Sequence, residues 1–539
     1  MRLASLPGHL CTVAALALVV ATAWQLVTGP IQPPTDPEQM LALGEERLRG
    51  GDLNGATEWF SKAARAAPGR ADVHLAAGRV HELAGSTEAA AEAYRTATRL
   101  EPTELAPALA LAHVLADTGR RQEAESELDR ARAANPDAIA PLLELASLRI
   151  EAGDRDGARD AFSELERRFP GDPRGALGLA GIAEADEDVG SARDAYLRAT
   201  KVEPRSRAAW EGLGRVDAAA SRFSDAERAY RRVVELDPDD ASAIAVLATL
   251  VERQRRFDEA LTLFRRSLGM LEDAGGSLRE TRALAWTGVG TCLLARRETD
   301  AAYEALASAL TDDPGQPEAL WALVPIYLDR EQWTAAADAL RTVFPERGDD
   351  AAFWIAMGRA QAGQGQWVEA RLAFERSLEL DARSSEGRRW LGIALRATGA
   401  YRSAEVVLRD VVSRDPDDDL ARLNLAIALG QLGEPDAARE HFSAARRLMP
   451  GRPEPLYHEA HLLLALGHGD DALRLAESAA ELTPDDPAAL EVLARALARH
   501  GDIARAREAV TAAIEHATRD DQRRYLEQLH ERIAARELE

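Results

Sequence analysis

The stretch "AERAYRRVVELDPDD", residues 226–240, decides how the rest of the chain is read. Its apolar residues return every three or four positions, as on one face of a helix. The run stops at Pro238, which lacks the amide that a continuing helix needs. Pro238 is not alone: Pro68, Pro102, Pro136, Pro170, Pro204 and Pro238 follow one another at 34-residue intervals. Pro314, Pro416, Pro450 and Pro484 resume the beat farther on, with Gly348, Ala382 and Thr518 in its other places.

Twelve residues before each of these places stands an alanine. The series runs Ala56, Ala90, Ala124, Ala158, Ala192, Ala226, Ala302, Ala336, Ala370, Ala404, Ala438, Ala472 and Ala506, with Ala260 in the unit that lacks a proline. So small a side chain in all fourteen units marks a helix crossing where two backbones come close. Four residues on comes a large apolar side chain in most units: Phe60, Tyr94, Phe162, Tyr196, Tyr230, Phe264, Phe374 and Phe442. Upstream, Trp210, Trp286 and Trp354 precede Leu213, Val289 and Met357 by three, and Gly214, Gly290 and Gly358 follow directly. On this pattern, W-x2-L-G…A-x3-F…P, the chain resembles the tetratricopeptide repeat family, most closely over residues 207–238. The family's third, tyrosine-like position is mostly Leu, Val or Ala here, a departure that touches packing detail. The resemblance implies an all-α fold, a right-handed superhelical solenoid of about fourteen helix-turn-helix repeats.

Composition agrees. A chain of 539 residues exceeds one compact core, and Ala, Leu, Arg and Glu dominate while aromatics make up 5%, a helix-forming mixture. The formal charge of −24 repels phosphate backbones, so no nucleic-acid partner is expected. The cations are almost all arginine, with lysine only at Lys62 and Lys201. Cys11 and Cys292 stand too far apart in the chain to suggest a bridge, and no C-x-x-C pair exists.

The N-terminus reads differently. Leu10–Val27 is an uncharged apolar run of 18 residues, just long enough to span a bilayer as a helix. Residues 1–28 are read as a membrane anchor with the bulk of the chain outside the cytoplasm. The alternative is a signal peptide cleaved after Ala23, in the small-x-small context Ala21-Thr22-Ala23. Residues 29–36 form a proline-rich spacer. Residues 37–274 hold repeats 1–7 and residues 283–518 hold repeats 8–14. Between them the period breaks, since Pro238 and Pro314 lie two periods plus eight residues apart. The extra residues around 275–282 are expected to lengthen the second helix of repeat 7, with a new helix starting near Glu280. Residues 519–539 place Tyr525, Leu526, Leu529, Ile533 and Leu538 on helical spacing and are expected to cap the last repeat.

Catalytic signatures are absent: no P-loop, no G-x-S-x-G elbow and no H-E-x-x-H helix. His458 and His461 stand one turn apart but have no Cys or paired carboxylate beside them, so no metal or cofactor is expected. The acidic "DPDDD" at 415–419 reads as helix N-capping rather than a calcium loop. His74 and His81 read as packing residues. No stretch remains for a catalytic domain, so no enzyme is expected.

In solenoids of this family the first helix of each repeat lines the concave face, at its second, fifth, ninth and twelfth places. Carried over, those places hold Arg359 in repeat 10, with Arg389 and Arg396 in repeat 11, against one acid, Glu386. Trp321 precedes this basic patch, and Tyr457 and His461 follow it. Either the patch clamps carboxylates of a protein partner, or the groove is solvated and its arginines incidental. The expected function is a membrane-anchored bacterial envelope scaffold in the periplasm that binds proteins; the alternative is a guide in polysaccharide export.

Overall fold

The computed structural model describes residues 35–271 and 278–535. Among these residues the chain forms 29 helices and no strand. The anchor or signal segment, with Leu10–Val27 and the Ala23 cleavage place, lies outside the described residues, as does almost all of the spacer. No described helix is long and apolar enough to cross a membrane. The chain divides into two compact units, one ending at Pro238 and the other starting at Asp239. The division falls one repeat before the break in sequence period.

Within each unit, helices pair through three-residue turns, as Arg207–Ala219 pairs with Phe223–Leu236 and Ala351–Gly363 with Trp367–Leu380. The turn inside every repeat contains one residue with positive φ. Nine are glycines, such as Gly85 at 74° and Gly501 at 93°, and five are not: Glu187, Ser221, Arg255, Arg297 and Glu331. A side chain in this left-handed conformation crowds its own carbonyl, which is why glycine dominates the position.

All fourteen period alanines, from Ala56 to Ala506, are completely buried. The large residue four places on fills the space that glycine leaves on neighbouring first helices. A Cβ on Gly44 would stand 2.5 Å from Phe60, and one on Gly358 2.5 Å from Phe374, both within one repeat. Other rings press on the next repeat. A Cβ on Gly212 would lie 2.2 Å from Tyr196, and one on Gly288 2.1 Å from Phe264. The ring is therefore a wedge against a first helix, and glycine there admits it.

Helix ends are closed by side chains. Asp240 accepts from the amides of Ser242 and Ala243 at 2.9 and 3.0 Å, and Asp418 accepts from Ala421 at 2.9 Å, so the acidic run at 415–419 is capping. At the other end, a turn carbonyl is left without an amide and is met by a side chain six residues later. Trp210 Nε1 donates to Pro204 O at 3.0 Å and Trp354 Nε1 to Gly348 O at 2.8 Å. His74 holds the same place, with Nε2 3.1 Å from Pro68 O. It closes a turn rather than filling a core, because its imidazole can donate where a packed apolar residue could not.

At the period break, residues 272–277 lie outside the described residues, and both flanking helices are longer than their counterparts. The second helix of repeat 7, Phe257–Leu271, has 15 residues against the 14 of Phe223–Leu236. The first helix of repeat 8, Arg279–Ala295, has 17 against the 13 of Arg207–Ala219. Most of the added length packs as an N-terminal turn there, where Thr281 reaches Ser242 at 3.0 Å. Cys292 on this helix is a buried free thiol, pushed up to about 12 by burial first and by Glu252 next.

The C-terminal helix Asp520–Ala535 buries Leu526, Leu529 and Ile533 on the last repeat. Tyr525 does not join them. It is 41% exposed and its hydroxyl donates to Glu491 at 2.9 Å, because a phenol keeps its polar end where a partner can reach it. Leu538 lies outside the described residues.

Two substitutions test this packing. Ala226→Leu should overfill the crossing and cost about 1–3 kcal/mol, while Ser221→Gly should relieve the left-handed turn and gain up to about 1 kcal/mol. Urea unfolding followed by circular dichroism reads both; an unaltered midpoint for Ala226→Leu contradicts the close crossing.

Candidate functional site

The second unit builds a line of arginines and rings from its first helices. It begins on Pro317–Asp329 with Trp321, half-buried, whose ring has the Arg347 guanidinium 4.8 Å from its centroid. On the next first helix, Ala351–Gly363, Arg359 lies 5.5 Å from the Trp390 centroid and 3.7 Å from Asp329. Trp390 also stacks on Phe374, with centroids 6.0 Å apart.

Helix Ser385–Ala397 carries both remaining arginines of the predicted patch, and they differ. Arg389 donates from Nη1 to Asp418 at 3.3 Å, a carboxylate that is nearly buried and also caps its own helix. Arg389 is thus committed to joining repeats 11 and 12. Arg396 has no ion pair among the described residues, and its Nε is buried without a hydrogen-bond partner. Burial lowers its pKa, while the phenols of Tyr401 and Tyr457 act in the opposite direction. Tyr457 belongs to repeat 13, two repeats on. Their mutual influence places side chains of repeats 11 and 13 near one another.

Around Tyr457 the groove is crowded. Its ring lies 4.6 Å from that of His458, and burial is the first cause that pushes its phenol pKa up. His458 is held at about 3, by burial first, then by Arg396 and His461, so its imidazole is neutral at physiological pH. His461, more open to solvent, is also held below the usual value, by the groove wall around its ring first and by Arg495 second, with Glu491 opposing. Arg495 Nε contacts Glu491 at 2.9 Å, and its guanidinium lies 5.9 Å from the Tyr525 centroid. Among the described residues no three ligating side chains converge on a metal-sized site.

The predicted residues do not form one open patch. Arg359 and Arg389 have acids beside them, Trp321 lies under Arg347, and Arg396 with Tyr457 and His461 forms the remaining part. Trp390 and Arg495 were not singled out from the sequence, and His458 and Tyr525 were read as something other than groove residues. One signal was available: Tyr525 stands 34 residues after Glu491 and 68 after Tyr457, so the groove position continues into the cap.

Two family models, each described as tetratricopeptide repeat, match the chain. One matches residues 83–147, 293–360 and 395–462, the other residues 41–104, 143–201, 211–277 and 457–522. No curated protein matches. Among solved structures, yeast Tom70 is 15% identical over 93% of this chain and 96% of its own, with a TM-score of 0.35. The APC/C hetero-tetramer Cut9-Hcn1 gives 15% identity over 86% and 96%, with a TM-score of 0.37. A tetratricopeptide repeat protein from Parabacteroides merdae gives 15% over 47% and 97%, with a TM-score of 0.35.

The neutral burial of His458 has a measurable sign. Its folded pKa of about 3 lies below an unfolded value of about 6.5, so between these values the unfolded chain binds a proton that the folded chain excludes. Stability contributed by His458 is complete above pH 6.5 and declines as pH falls toward 3. His458→Phe should flatten that decline in urea midpoints taken from pH 7 to pH 4; parallel curves for the two proteins would show that His458 titrates normally.

Proposed function

Because the chain belongs to the tetratricopeptide repeat family, we propose that it is a non-catalytic scaffold that holds a protein partner along the inner face of repeats 9–14. Such repeats present a preformed surface, and binding follows from shape and many weak contacts rather than from bond chemistry. The observation that carries the reading is Arg396. A guanidinium set into a groove without a carboxylate, beside Tyr457 and a neutral His458, invites one from outside. The preferred partner is an acidic segment.

The same groove speaks against the glycan alternative. Sugar stacking needs bare aromatic faces, whereas Trp321 is under Arg347, Trp390 is stacked on Phe374 with Arg359 near it, and Tyr525 has Arg495 beside it. Leu10–Val27 supports a place at the bacterial inner membrane, single-pass, with the repeats in the periplasm; cleavage after Ala23 would release them there instead. In that setting the scaffold would assemble or regulate an envelope complex.

Affinity capture of the detergent-solubilised full chain, with identification of what co-purifies, tests the reading. An acidic protein partner is expected, and Arg396→Glu should weaken its binding at least about tenfold, since charge-assisted hydrogen bonds contribute about 1.5–3 kcal/mol. Circular dichroism confirms that the variant folds. Recovery of glycan alone, or full binding by Arg396→Glu, refutes this function.

A further inference from the structure

The first unit offers a second surface of different chemistry. The first helices of repeats 1–5 carry Leu41, Leu75, Leu109, Leu143 and Leu177, each 34 residues after the last, and Glu211 ends the series in repeat 6. None is buried outright; all five are half-buried, each leaving part of its side chain to solvent. A cavity of about 100 Å³ opens between the first helices Leu105–Asp117 and Ala140–Glu151 of repeats 3 and 4. His113 and Ser147 line it, one helical turn on from Leu109 and Leu143, so the leucines share its face.

Charge on this face is unlike that on the second helices. There, acids are tied to arginines: Glu125 to Arg121 and Arg149 at 2.8 and 3.3 Å, Glu164 to Arg132 and Arg168 at 2.5 and 3.1 Å. Around the cavity, the exposed carboxylates of Asp117, Glu144 and Glu151 have no cation or hydrogen-bond donor among the described residues. An apolar ladder flanked by uncompensated acids is complementary to an apolar stripe flanked by cations.

Spacing identifies the conformation. Packed helices stand roughly 8–10 Å apart, which sets the distance between leucine rungs. A helix rises about 1.5 Å per residue, so a side chain at every seventh position advances about 10.5 Å and returns to the same face. An extended strand covers a rung in about three residues and would present alternate rungs to opposite faces. A polyproline helix also returns to one face every three residues, at about 3.1 Å rise each, but its backbone carbonyls need solvation that a leucine floor denies.

We propose that the inner face of repeats 1–5 binds an amphipathic α-helix of another protein, apolar at every seventh residue and flanked by lysine or arginine. The site is independent of the acidic-partner groove in repeats 9–14. Its probe is a synthetic fluorescein-labelled helical peptide with leucine at every seventh position and lysine on the flanks, measured against the full chain by anisotropy. A control peptide replaces lysine with glutamate, and another is proline-rich with the same leucine spacing along the groove. The lysine peptide should bind at least tenfold tighter than the glutamate peptide. The paired substitution Glu144→Lys and Glu151→Lys, at exposed positions, should reverse that preference without changing the melting curve, and Leu109→Ala with Leu143→Ala should weaken both. Arg396→Glu should leave this binding unchanged, which separates it from the function proposed above. Equal binding of the two charged peptides, insensitivity to both pairs of substitutions, or preference for the proline-rich peptide overturns the proposal. Binding that appears only after residues 1–34 are removed also overturns it, because the occupant is then this chain's own N-terminal segment.

Discussion

The fold depends on how closely two helices approach at one alanine per repeat. Because that alanine has no side chain to hold the backbones apart, the ring four residues later reaches past it and lodges against a glycine of a first helix, in its own repeat or in the next. Phe374 against Gly358 and Tyr196 against Gly212 show the two cases. Each repeat therefore cannot complete its core alone, and stacking follows from the need to cover the other side of the ring. The helix Asp520–Ala535 ends that need with Leu526, Leu529 and Ile533 turned inward.

Repetition then frees the inner face. Since the wedge and the crossing are met by the buried stripes, residues on the open side of each first helix can vary without loosening the stack. This chain uses that freedom in two ways. In the first unit the open side keeps leucine at a fixed interval and leaves carboxylates unpaired near Leu109 and Leu143. In the second it holds arginines and rings, most of them already paired with one another or with acids, with Arg396 as the exception. Arg396 is set apart by lacking an ion pair, with its Nε buried and unpartnered, among the described residues.

Much of the fold was legible because a 34-residue period repeats one structural decision fourteen times. Ala226, Tyr230 and Pro238 are ambiguous as single residues and unambiguous as members of aligned series. The site was less so. The sequence brought Arg359, Arg389 and Arg396 together as a basic patch, but it could not reveal that Asp418 lies against Arg389, since Asp418 reads equally well as a helix cap and serves as both. His74 was read as packing because its place in the repeat says which turn it belongs to, not which carbonyl lies open six residues earlier. The insertion at the period break was harder to place for a similar reason: it has no partner in the other repeats to align with.

What the sequence by itself determined is the class of fold and the repeated helix pair, both consequences of local periodicity and small-residue spacing. What only the tertiary structure decided is which charges on the inner face are spent. Arg396 and Tyr457 are 61 positions apart in the chain and influence one another because the stacked repeats bring them near. Pairing of that kind depends on distances across the stack, which no period along the chain encodes.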